Sequence, residues 1–132
     1  MITDIVNIAR TLFGLKGDLE KARRDRRDRI ADYFDAISRT VAEVAASLRQ
    51  REVPHGKCAE MRTYADQLVE TVGDEIGQQK AEPLAEQLKD AHEVELLLSE
   101  VYGATDAEEK LAQLEEASGL FKATATSIRA AA

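Results

Sequence analysis

Apolar positions recur at intervals of three and four along most of the chain, the spacing that gathers them on one face of an α-helix. Ile2, Ile5, Val6, Ile8, Ala9, Leu12, Phe13 and Leu15 cover about half the circumference of a short first helix within residues 1–15. Thr3 is placed to cap it. The GLKG segment, residues 14–17, then supplies a hinge. A second helix is predicted over 18–52, with Leu19, Ile30, Tyr33, Phe34, Ile37, Val41, Val44, Ala45 and Leu48 on one stripe, and Pro54 in VPHG discourages its continuation. A third, over 56–77, carries Cys58, Met61, Ala65, Leu68, Val72 and Ile76 and stops at Gly77. Pro83 suits the first turn of a fourth, over 79–102, with Leu84, Leu88, Ala91, Val94 and Leu98 as its stripe. The TDAE string at 105–108 reads as a capping box for a fifth, over 105–129, where Ala107, Leu111, Leu114, Ser118, Phe121, Ala125 and Ile128 keep a seven-residue repeat.

Short connections between four long amphipathic helices predict an all-α antiparallel four-helix bundle, with the first helix as a short addition and the second overlong. Composition agrees. The 132 residues are 44% hydrophobic with only two prolines, enough for one domain with one core. Cys58 is the only cysteine, so no intrachain disulfide can form and a reducing, cytoplasmic setting is expected. No stretch reaches the roughly 20 apolar residues that span a bilayer.

Charge changes the picture more. The net charge of −7 argues against nucleic acid as a partner, yet residues 1–62 hold 13 basic and 10 acidic side chains while 63–132 hold 5 and 15. The basic excess is concentrated in KARRDRRDR, residues 21–29. On a continuous helix, Arg23, Arg26 and Arg27 extend the stripe of Ile30, Phe34, Ile37 and Val41. Lys21, Arg24, Asp25, Asp28 and Arg29 lie opposite, where i,i+4 pairs neutralise one another. At 1.5 Å per residue the second helix would be about 52 Å long and overhang its neighbours here. Two readings stay open: a solvated helix end whose arginines cover the first helix, and a docking face for an acidic protein, including another copy of the chain. Nucleic-acid binding is a weaker third reading, because no aromatic side chains interleave with the arginines.

Other candidates are fewer. Ile5, Ile8, Leu12 and Phe13 fit either a lid packed on the bundle or a membrane-inserting helix. Leu96 and Leu97 fall off the fourth stripe and widen it, which marks a second neighbour or a protein interface. His55 and Cys58 have a spacing open to metal, but two ligands do not close a zinc shell, and Glu-x-x-His pairs for a di-iron centre are missing. No catalytic constellation, cofactor motif or metal site is expected, and the chain reads as a non-enzyme.

The strings VPHGKCAE (53–60), DEIG (74–77) and EEASGLFKA (115–123) resemble segments of small helical proteins and N-terminal modules of cyanobacteria. That resemblance covers most of the chain and implies a helical fold, with no catalytic or binding residues attached. In helix order alone, an apolar N-terminal helix ahead of a four-helix bundle is similar to the HeLo and mixed-lineage-kinase-like bundles. This likeness implies a membrane-disturbing use of the first helix. The expected function is protein contact or self-association through Arg23, Arg26, Arg27, Leu96 and Leu97, with membrane perturbation as the alternative.

Overall fold

A computed structural model describes residues 2–131; Met1 and Ala132, which the sequence reading included in the domain, lie outside the described residues. Within them the chain is all-helical: α1 (Ile2–Gly14), α2 (Lys16–Glu20), α3 (Arg24–Arg49), α4 (His55–Ile76), α5 (Gln78–Asp90), α6 (Val94–Val101) and α7 (Ala107–Ala130). Contacts run from α1 to α7, α7 to α3, α3 to α4, α4 to α5 and α5 back to α1, closing a ring of five around the core. The first helix is therefore part of the wall, where the sequence suggested an addition to a bundle of four. Its Ile2, Ile5, Ile8, Ala9 and Leu12 are all buried.

The strongest seam is α3 against α7. They run antiparallel, with Asp32 beside Arg129, Ser38 beside Ser118 and Arg49 beside Glu108. At the crossing each serine hydroxyl donates to the other serine's backbone carbonyl at 2.8 Å, so two small polar side chains fix the register where the backbones approach. Phe34 and Phe121 stack nearby with ring centroids 6.2 Å apart. Helix α4 returns along α3: Arg26 meets Glu75, and the Tyr33 hydroxyl donates to the Tyr64 carbonyl.

Two helices expected to be continuous are bent. Residues 21–23 break the expected 18–52 helix, and residues 91–93 break the expected 79–102 helix. The cause at the first break is burial. A straight helix would hold Leu19 out beyond the bundle, whereas folding α2 back buries it completely. Burying a leucine is worth about 1.5–3 kcal/mol. Arg23, the N-cap of α3, makes no side-chain cap hydrogen bond, and it, Arg24 and Asp25 are exposed. At the second break, α6 turns across the other end and buries Leu97 and Val101. The Glu93 carboxylate caps it, accepting from Leu96 N at 3.0 Å.

Each end of the bundle is thus closed by a short helix. Helix α2 sits at the ends of α1, α4 and α7, where Ser127 Oγ donates to Glu20 at 2.6 Å. Helix α6 sits at the opposite end, with Ile2 N donating to Glu100 at 2.9 Å and the Tyr102 hydroxyl donating to the Glu52 carbonyl at 3.3 Å.

Smaller expectations also shift. Gly77 does stop α4, at φ 89°, a conformation that favours glycine. Because α5 starts directly afterwards, Pro83 falls inside it and not in its first turn. The capping box at 105–108 does not form: Asp106 takes the N-cap position without a side-chain hydrogen bond, and Glu108 is drawn to Arg49 at 2.9 Å. Thr3 lies within α1, where its hydroxyl donates to Gln113, and Ile2 N donates to Glu100 instead.

Candidate functional site

The break at 21–23 decides what the arginine run can do. Arg23 takes an extended backbone conformation (φ −63°, ψ 156°) as the residue before α3, so α2 and α3 point in different directions. Of the expected i,i+4 pairs only Lys21 with Asp25 spans the break; Arg24 with Asp28 and Asp25 with Arg29 lie within α3, yet none of the three forms an ion pair among the described residues. Lys21 approaches Asp18 at 3.9 Å and Arg23 approaches Asp25 at 4.0 Å, both across solvent, and neither Arg24 nor Arg29 has an ion pair among the described residues. No overhang exists.

Arg26 departs from expectation in the other direction. Its stripe position was read correctly as facing inward, but there it meets a partner. Nε and Nη2 donate to the two oxygens of Glu75 at 2.8 Å each, and Nη2 also donates to the Thr71 carbonyl at 3.0 Å. The Glu75 side chain is only 9% exposed. These hydrogen bonds hold the guanidinium more firmly protonated than usual. Arg26 is a brace between α3 and α4 and is withdrawn from any docking face. Arg27 is half-buried, its Nη1 reaching the Glu20 carbonyl at 3.5 Å.

What remains outward is Arg23 and Arg24, with Arg27 at their base, and Arg29 further along α3. Arg24 and Arg27 share an open cleft with Asp28 and Arg129, where the start of α3 meets the end of α7. Arg129 is held there by Asp32 and Asp35. Arg24 was missed from sequence because its i,i+4 pairing with Asp28 was expected and is not made; the break itself leaves no glycine or proline to read.

The other candidates separate. Leu97 is fully buried and belongs to the core, whereas Leu96 is 44% exposed. They do not form one surface. Ile5, Ile8 and Leu12 are buried, and only Phe13 is half-exposed, with Lys16 Nζ 3.8 Å from its ring centroid. Val53 and Leu96 are the only large apolar side chains exposed among the described residues. A broad hydrophobic docking face is thus lacking among them.

Chemistry inside the core is limited to two groups. Cys58 is buried and its thiol is pushed up to about 11, by burial first, with Glu93 adding to it and Arg62 opposing. His55 opens α4 in an exposed position. His92 is buried at the α5–α6 bend; its Nδ1 lies 2.9 Å from the Leu88 carbonyl and must donate to it, leaving Nε2 with no partner. Burial pulls its pKa down to about 4. No three His, Cys, Asp or Glu side chains among the described residues converge as a metal ion would require. No described helix is long and apolar enough to cross a membrane.

Comparison with known proteins adds no relative: no protein-family model, no curated protein and no solved structure matches the chain.

Proposed function

We propose that this chain is a non-enzymatic, cytoplasmic helical bundle that binds an acidic protein surface through Arg23 and Arg24, supported by Arg27. One observation carries this reading: Arg26, Arg49 and Arg129 at the bundle ends are committed to carboxylates, while the turn at 21–23 sets two adjacent arginines outward, Arg24 with no ion pair among the described residues and Arg23 no nearer than 4.0 Å to Asp25. Arg26, from the group expected to dock, is assigned instead to bracing the fold. Burial of Ile5, Ile8 and Leu12 favours protein contact over membrane insertion, because inserting α1 would open the ring and expose the core to water.

Fluorescence anisotropy tests this with three probes: a labelled glutamate-rich peptide, an oligonucleotide of similar charge, and anionic vesicles. The peptide should bind, and binding should weaken markedly as salt rises from about 0.05 to 0.2 M and screens the contact. The double variant R23E/R24E should lose about tenfold or more in affinity, because it sets like charges against the peptide. Tighter binding to the oligonucleotide or to vesicles than to the peptide would overturn the reading.

A further inference from the structure

Between α4 and α5 an open groove of about 630 Å³ runs along the flank of the bundle. Its floor is small and apolar, formed by Val69, Pro83 and Ala85, and its rim carries Asp66, Glu82, Glu86 and Lys89. Lys89 is satisfied by Asp66 at 3.2 Å. Glu82 and Glu86 have no ion pair among the described residues. They stand one helical turn apart, with Cβ atoms about 5–6 Å from each other, so they repel in the free chain.

A second feature of this groove points to a hydrogen-bond donor. Pro83 has no N–H, so the carbonyl four residues earlier, that of Gln79, lacks its helical donor. Gln79 lines the same groove. Two carboxylates and a backbone acceptor without its usual partner therefore stand over an apolar floor. The chemistry that fits is a long aliphatic stem ending in several donors and a positive charge, which describes arginine.

The chain itself carries such an occupant. Arg23 and Arg24 project from the α2–α3 turn, Arg24 without an ion pair among the described residues and Arg23 with Asp25 no nearer than 4.0 Å, and neither lines the groove. With Val53 and Leu96 as the only large apolar side chains exposed among the described residues, copies of this chain lack the hydrophobic patch that a stable symmetric dimer uses. Contact between copies has to be polar and local, since the net charge of −7 otherwise keeps them apart.

We propose that Arg23 and Arg24 of one copy dock in the α4–α5 groove of a second, with their stems on Val69, Pro83 and Ala85 and their guanidinium groups on Glu82, Glu86 and the Gln79 carbonyl. This rests on the basic end being the docking element. The two surfaces differ, so the contact is heterologous: it extends into chains or closes into a ring, according to the angle between successive copies.

Sedimentation velocity tests it with the full chain over a range of protein concentrations, in about 0.05 M and about 0.5 M salt, where screening of the contact differs greatly. The wild type should grow in mass with concentration at low salt and be monomeric at high salt. R23E/R24E and E82R/E86R should each be monomeric at both. An equimolar mixture of the two should associate again, because the intact arginines of E82R/E86R meet the intact groove of R23E/R24E, and the two reversed surfaces also complement one another. E82Q/E86Q serves as the milder groove variant if arginine there disturbs α5, and circular dichroism melts check each fold. A monomeric wild type at low salt, or a mixture that stays monomeric, would overturn the proposal. Association of E82R/E86R at wild-type strength, with R23E/R24E monomeric, would sink the groove as the receptor and leave the basic end standing. Self-association unchanged in both variants would show that neither surface mediates it, while peptide binding reports on the basic end separately.

Discussion

Leu19 and Leu97 plug opposite ends of the bundle, each carried by a short helix that turns across the core and each fully buried. The surfaces outside them differ. At the α6 end the cations are consumed internally: Arg49 spans Glu108 and Glu115 at 2.9 and 2.7 Å, Lys110 faces Glu100 at 3.9 Å, and Arg51 lies 5.6 Å from the Tyr102 ring centroid. At the α2 end Arg26 and Arg129 are consumed in the same way, but Arg23 and Arg24 are left facing water. The same burial logic closes both ends, but the α2 end keeps two adjacent exposed arginines where the α6 end keeps Arg51 alone without a carboxylate. Charge count and pairing both distinguish them, since the basic run of residues 21–29 lies at the α2 end.

The two plugs should not be equally costly to remove. Replacing either leucine by alanine deletes buried methyl groups and leaves a cavity, a loss of about 2–5 kcal/mol. Helix α2 has five residues and can fray without opening the ring, so Leu19→Ala should fall near the lower figure. Leu97 shares α6 with buried Val101, and its loss loosens a cap tied to α1 through Glu100. Leu97→Ala should lie near the upper figure. Urea unfolding of both variants measures this, and a larger loss for Leu19→Ala would show that α2 holds the bundle shut more firmly than α6.

Acid should separate the ends as well, since only the α6 end contains a buried histidine. His92 is neutral when folded, with its pKa lowered from 6.5 to about 4. A lowered pKa means that the unfolded chain takes up the proton first as pH falls. The His92 contribution is complete above about pH 6.5 and is lost progressively toward pH 4, amounting to about 3 kcal/mol at the lower limit. Carboxylates titrate in part of this range, so the informative quantity is the difference between wild type and His92→Leu in urea midpoint between pH 7 and pH 4.5. Identical pH slopes in the two proteins would mean that His92 gains a partner for Nε2 on protonation.

The stripes themselves were legible. Ile30, Phe34, Ile37, Val41, Met61, Leu68, Leu114, Phe121 and Ile128, all placed inward from spacing alone, are buried. The breaks at 21–23 and 91–93 were not, because neither contains glycine or proline and local helix propensity runs straight through them. What bends the chain is burial of Leu19 and Leu97 against residues distant in sequence, which no local pattern encodes. The misplaced off-stripe pair Leu96 and Leu97 was a real signal with another cause: the helix axis turns there. Arg26 was half legible. Its inward position followed from the stripe, and its partner could have followed from the α3–α4 hairpin, which sets Tyr33 near Tyr64 and therefore Arg26 near the Asp74–Glu75 pair. Arg24 was placed on the right side, opposite the stripe, but was expected to be neutralised by Asp28, and with that went half of the docking pair.

The smallest effect is the most informative about this end, because it divides neighbours within one run. Arg26→Ala would leave Glu75 mostly buried without its counter-ion and the Thr71 carbonyl without its donor, at a cost of about 2 kcal/mol, below the range for fully buried pairs because Arg26 itself is 24% exposed. R23E/R24E should change stability by less than about 0.5 kcal/mol, since both side chains are exposed and neither is held by a close ion pair. Thermal melts of the two variants side by side measure the contrast. If R23E/R24E melts as low as Arg26→Ala, the outward arginines are bracing the turn at 21–23 and are not available to a partner. If it melts with the wild type, their only energetic consequence lies outside the folded chain, in whatever acidic surface they meet.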